Sequence, residues 1–371
     1  QYLNLSFAIL SNTSNIFYLS DLPIRNNSIN PVLYTLIDFS PIALAITADT
    51  ETVLFCPSAL SQFIEESINN VYPKYYPTNL FIDYWENNKP TIYAENMLMC
   101  IKRYLKEKDF KGRLGFDSNF YHRFREQLFS DLDADTSKYV NIDETIQKMR
   151  LIKTAEEINR IRIATDAAHS AMNIVQEFIE SGQNLNEKKL FIEVRQEILK
   201  KNCQWNFTTV ASGKYSADIY HEPVDYQLKT TDAVRLDIGA VCKGYCTDVA
   251  RTYYTSEFPI RLKKLYKVLT DAQNKVIDNI KPGVKANELF NIGQDYVRAH
   301  GYPQYNRTMI GHGVGLDTEE EPFISPNNDM VLKQGMVLAI ELPYYIKGVC
   351  GLNIEDIVAI TSNGCEIIKQ M

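Results

Sequence analysis

Apolar residues along this chain follow two patterns: short runs bounded by polar turns, and longer stretches in which they recur every three or four positions. Near the start, Phe7–Leu10 and Ile16–Leu19 read as strands, and Ala43–Cys56 reads as a hairpin across Ala48-Asp49-Thr50. Ala59–Ile68 and Phe120–Leu132 carry helical spacing, so the first part predicts a separate α/β domain. The boundary falls near Asp143–Arg150, dividing the chain into residues 1–148 and 149–371. Just beyond it, Thr154 and Glu157 form a capping box, and Ile158, Ile161, Thr165, Ala168, Met172, Val175 and Ile179 continue at helical spacing toward a stop at Gly182. Three further helices are expected at Glu187–Lys201, Pro259–Ile280 and Ala286–His300. Their apolar faces are core, placed to cover strands.

Five polar residues break this scheme in the C-terminal third. Asp237 and Asp248 sit in two β-rich runs joined around Lys243-Gly244. A turn centred between Cys242 and Lys243 sets Asp237 opposite Asp248, where two facing aspartates repel unless a cation lies between them. Glu341 ends the apolar strand Met336–Glu341, and Glu355 interrupts Leu352–Val358 after a turn near Gly348. Between the two pairs, His312 stands in Gly311-His312-Gly313-Val314-Gly315, where glycines permit close backbone approach. Taken singly, each residue reads as an ordinary solvated or salt-bridged side chain. Together, four carboxylates and one imidazole suit a pair of divalent metal ions, manganese first, with cobalt, zinc or iron as alternatives.

Composition narrows the field. A length of 371 residues with 45% hydrophobic content supports two domains with substantial cores. The net charge of −7 and the lack of a basic tract argue against nucleic acid and anionic membranes as partners. No apolar run is long enough to suggest a transmembrane helix. Seven cysteines lack the spacing of a disulfide scaffold, which points to a reducing, cytoplasmic compartment; Cys242 and Cys246 are expected to be small buried thiols.

These segments resemble the pita-bread metallopeptidases, the family of methionine aminopeptidase, prolidase, aminopeptidase P and creatinase. The likeness runs in order through Arg150–Ile158, Val210–Gly213 with His221, the Asp237 and Asp248 segments, Gly311–Leu316, the Glu341 strand and Asn353–Asp356. It implies an α/β (α+β) architecture with a C-terminal pita-bread fold and a smaller N-terminal creatinase-like α/β domain. It further implies that Asp237 chelates one metal, that Asp248 and Glu355 bridge both, and that His312 and Glu341 complete the set. Glu341 would also accept the proton of the attacking water, and His221 would hydrogen-bond the substrate near the scissile bond. The implied reaction is hydrolysis of an amide bond in a small peptide by a dinuclear-metal enzyme of the Xaa-Pro dipeptidase or aminopeptidase kind, acting as a homodimer.

One departure bears on that expectation. Where relatives carry a histidine before Glu-x-Pro, this chain reads Glu319-Glu320-Glu321-Pro322, so Glu319 takes the histidine's place. An ionised Glu319 would repel a developing oxyanion and would assist only if it were protonated. Two alternatives therefore stay open: a specialised non-peptide amidase or lyase, and a binding protein without catalysis.

Overall fold

The computed structural model describes residues 3–22, 42–67, 71–77, 89–120, 124, 139–181 and 186–368. It divides into two compact units, Gln1–Lys148 and Met149–Met371.

In the first unit, six strands form a mixed sheet in the order β4-β3-β2-β1-β5-β6. They are β1 (Leu5–Leu10), β2 (Ala43–Thr47), β3 (Thr52–Pro57), β4 (Tyr72–Tyr76), β5 (Arg113–Phe116) and β6 (Tyr139–Asn141). β2 and β3 pair antiparallel, as the hairpin pattern predicts. The helix Met97–Glu107 buries Met97, Cys100, Ile101, Tyr104 and Leu105, one face of a 3.6-residue repeat. One expectation fails: Ile16–Leu19 belongs to a helix, Thr13–Ser20. The Asn12 side chain caps it by accepting from the backbone N–H groups of Ser14 and Asn15, and Asp21 ends it in the left-handed region. These local caps outweigh the strand preference of the apolar residues between them. The expected helix over Phe120–Leu132 and the stop at Gly182 lie largely outside the described residues.

The second unit is built on an eight-stranded sheet whose main path runs β11-β12-β15-β10-β8-β7. Its strands are β7 (Gln204–Ser212), β8 (Ala233–Cys242), β9 (Tyr245–Cys246), β10 (Val249–Tyr254), β11 (Gly311–Gly313), β12 (Val337–Glu341), β15 (Glu355–Ile360) and β16 (Cys365–Ile367). A separate hairpin joins β13 (Tyr344–Ile346) to β14 (Cys350–Leu352). Leu262, Leu265, Leu269, Ala272 and Val276 of the helix Ile260–Ile277 enter one core with Leu338, Ile340 and Val358 of the sheet. Each leucine, isoleucine or valine among them contributes roughly 1.5–3 kcal/mol of burial. The long helix Ala155–Ser181 starts at the expected capping box: Thr154 N–H donates to Glu157 Oε2 at 2.7 Å, and Glu157 N–H donates to Thr154 Oγ1 at 3.3 Å. That helix packs on β8 and β10, the strands around Asp237 and Asp248.

Candidate metal centre and active site

The register of the central sheet brings the acidic residues together. Asp237 on β8 pairs with Ala250 on β10, Ala250 with Glu355 on β15, and Glu355 with Glu341 on β12. Cross-strand partners share a face, so three carboxylates stand in one row across four strands. His312 on β11 pairs with Ala339, two residues before Glu341, and so joins the same face.

The predicted pairing of Asp237 with Asp248 is corrected. Lys243 and Gly244 form the turn, with φ values of 46° and 83°, and Cys242 pairs with Tyr245. The turn is thus centred one position later in the hairpin than the sequence reading places it. Asp237 faces Ala250, and Asp248 lies two residues before Ala250, immediately ahead of β10. A two-residue offset preserves the face, so both aspartates still point to one side of the sheet.

Three of the candidate ligand segments, those of Asp248, Glu341 and Glu355, are pinned by neighbouring hydrogen bonds. Thr247, next to Asp248, shares a buried hydrogen bond of 2.8 Å with Thr165 of the long helix. Gln273 Nε2 donates to the Ile340 carbonyl at 2.8 Å beside Glu341. Thr252 Oγ1 accepts from Asn353 N–H at 2.9 Å two residues before Glu355. Around His312, a Cβ at Gly311 would lie 2.3 Å from the Ala339 carbonyl, and one at Gly313 would lie 2.2 Å from that of Glu321. Only glycine lets this strand sit so close to its neighbours.

One ligand atom from each of Asp248, His312 and Glu355 falls within 4.8 Å of the others, all three residues being buried. His312 Nε2 lies 3.8 Å from Asp248 Oδ2 and 3.7 Å from Glu355 Oε1, beyond hydrogen-bond reach. Burial lowers the His312 pKa, which favours the neutral imidazole and makes these contacts poor ion pairs. Asp248 Oδ1 is buried without a hydrogen-bond partner. Burial, reinforced by neighbouring carboxylates, raises Asp248, Glu341 and Glu355, and it pushes Asp237 up to about 6 against the pull of Arg235. A neutral imidazole, an orphaned carboxylate oxygen and carboxylates packed close enough to resist ionisation fit divalent cations as the missing partner.

Asp237 and Glu341 sit at the flanks with partners of their own. Arg235 NH1 donates to Asp237 Oδ2 at 3.2 Å. Glu341 lies 3.5 Å from Asn353 Nδ2 and 3.6 Å from Arg307 NH2. All five residues line a cavity of about 670 Å³, together with His221 and Glu319. Glu319 is solvent-exposed at that wall. Its neighbour Glu320 is held inward by Arg150 at 2.6 Å and Lys153 at 2.5 Å, which orders the loop. Cys242 and Cys246 are buried thiols outside any disulfide, as expected.

The sequence reading passed over several residues at this cavity. Arg307 and Arg195 belong to no local motif, yet both reach it, Arg195 with its guanidinium 3.8 Å from the ring centroids of both Phe191 and Trp205. Glu187 is wholly buried and bonded to His221. As an acid in the first turn of a helix it carried no distinguishing signal, because such acids usually answer the helix dipole alone.

Buried carboxylates and a neutral imidazole converging on one cavity define a metal-dependent hydrolase. The chain belongs to metallopeptidase family M24, whose model matches residues 159–362, and the Creatinase/Prolidase N-terminal domain matches residues 1–152. It is 32% identical over 251 residues to a Xaa-Pro dipeptidase of Pyrococcus horikoshii, covering 68% of this chain and 71% of that one. It is 33% identical over 233 residues to a Xaa-Pro dipeptidase of Pyrococcus furiosus, covering 63% and 67%. The crystal structure of the prolidase from Pyrococcus horikoshii superposes with a TM-score of 0.80 at 25% identity, covering 98% of this chain and 93% of that one. The expected creatinase-type N-terminal domain and pita-bread domain agree with that match, and the chain is a peptidase. Among the described residues, no helix is long and apolar enough to cross a membrane.

Proposed function

We propose that the chain cleaves Xaa-Pro dipeptides at a dinuclear metal centre in the unit Met149–Met371. The observation that carries this reading is the convergence of Asp237, Asp248, His312, Glu341 and Glu355 on one cavity, in a chain similar to two Xaa-Pro dipeptidases. Asp248, His312 and Glu355 would hold the cations, with Asp237 and Glu341 completing the set from β8 and β12. When bound, the cations supply Lewis acidity toward the scissile carbonyl and activate water as the nucleophile.

The chain's own groups do the rest. Glu341, raised by burial, is suited to take a proton from the attacking water and return it to the leaving nitrogen. Asn353 and Arg307 flank its two oxygens and orient them. His221, at the cavity wall, hydrogen-bonds the substrate beside the scissile bond. Glu319 stands at the same wall as Asp248 and Glu341, where an ionised carboxylate would oppose a developing oxyanion.

Proline release from a panel of Xaa-Pro dipeptides, with Mn²⁺ and with chelator, tests the reading, with Asp248→Ala as the blank. Metal-dependent release absent from the variant is expected. No release from protein shown to carry metal would overturn it. The position of Glu319 favours one second reading, a non-peptide amidase, and gain of dipeptidase activity by Glu319→His would support that. Glu341→Gln is expected to lower turnover by roughly 10²–10⁴-fold with metal retained; unchanged turnover removes Glu341 from the proton path.

A further inference from the structure

We propose that Glu187 is a positioning residue for His221: its carboxylate holds the ring proton on Nε2 and leaves Nδ1 to serve the substrate. The inference rests on the reading of His221 as a substrate contact.

Glu187 is fully buried at the first position of the helix Glu187–Lys200, but it does not cap that helix. Asn186 does, accepting from the N–H groups of Lys188 and Lys189. The Glu187 oxygens are turned to other partners: Oε1 accepts from Ser212 N–H at 2.7 Å, and Oε2 accepts from Val224 N–H at 2.9 Å. His221 Nε2 lies 2.8 Å from the same Oε2. The carboxylate thus has both oxygens engaged as acceptors by obligatory backbone donors. Facing it, the imidazole must present N–H, which places the proton on Nε2. Tyr215 stacks on the ring with centroids 5.1 Å apart and planes 21° apart, blocking rotation about the bond to Oε2. Among the described residues Nδ1 has no hydrogen bond, and His221 lines the cavity. A carboxylate that fixes one ring nitrogen and a tyrosine that fixes the ring plane together define the lone pair offered to a ligand.

The bonds to Ser212 and Val224 also let Glu187 staple the ends of the loop between them, and a pure staple would need no tautomer at His221. Long-range ¹H–¹⁵N spectra of the full chain, labelled with ¹⁵N-histidine, separate the two roles without reference to activity. The His221 signal is assigned by its loss in His221→Ala. Expected is a proton on Nε2 in the wild type, a mixed tautomer in Glu187→Gln, and the Nε2 form retained in Glu187→Asp. A wild-type ring protonated on Nδ1, or a tautomer unmoved in Glu187→Gln, overturns the proposal.

Kinetics supply the second arm. Glu187→Gln is expected to lower kcat about 10²-fold, the low end for one proton-handling group, with KM little changed and partial rescue by Glu187→Asp. In a His221→Ala background the same change adds no further loss. A full additional loss there identifies a staple and refutes positioning. If no Xaa-Pro dipeptide is cleaved by the wild type, the functional reading fails, while the spectra still decide the Glu187–His221 relation.

Discussion

Asp237→Asn is expected to stabilise this protein when metal is withheld, although it removes a residue of the proposed metal centre. In the folded chain the Asp237 carboxyl is pushed from its ordinary 3.8 up to about 6, burial being the main cause. The unfolded carboxyl ionises near its ordinary value, whereas the folded one keeps its proton until about pH 6. Chelator-treated protein therefore loses stability as pH rises across that window, by about 3 kcal/mol in all, and the loss persists at pH 7. Asparagine keeps an acceptor for Arg235 but carries no charge, so chelated Asp237→Asn avoids the loss. For a unit of this size the difference corresponds to roughly 6–12 °C in Tm at pH 7 and vanishes near pH 4. Thermal melts of both proteins in chelator at pH 4, 5, 6 and 7 measure it, and repeating them with Mn²⁺ should reverse the order, because the variant lacks one of the proposed ligands. A variant no more stable than chelated wild type at pH 7, or a difference equal at pH 4 and 7, would refute the reasoning.

Other outcomes follow from neighbouring contacts. Glu320→Ala leaves Lys153 buried without this carboxylate and takes one carboxylate from Arg150, so a cost of about 3–5 kcal/mol is expected in denaturant titration; less than 1 kcal/mol would show the cluster to be solvated. Thr154→Ala removes one arm of the capping box and should cost about 0.5–2 kcal/mol in the same titration, with metal content unchanged.

Much of the candidate site was legible because charge stands out against burial. A lone Glu341 or Glu355 at the end of an apolar strand has no solvent-facing alternative, and glycines on both sides of His312 announce a tight backbone. Register was less legible, since it depends on which residues accept the left-handed region. Lys243 takes it alongside Gly244, and a lysine there is not an obvious choice. Ile16–Leu19 misled because its apolar residues fit either element, and the decision lay with the caps at Asn12 and Asp21. Glu187, Arg195 and Arg307 stayed hidden for another reason: their roles come from chain segments that meet only in the folded sheet, where no spacing along the chain records them.

The seam between β10 and β15 carries a last consequence. On one side, β7, β8 and β10 contribute Asp237, with Asp248 just ahead of β10; on the other, β11, β12 and β15 contribute His312, Glu341 and Glu355. The candidate donors are divided between the two blocks, so cations seated among them would act as a clasp across the seam. Opening the seam and releasing metal become a single event, and bound metal should suppress hydrogen exchange at Ala250 and Glu355 more strongly than at the outer strands. Ions held at the proposed centre would thereby double as a gauge of whether the sheet is closed.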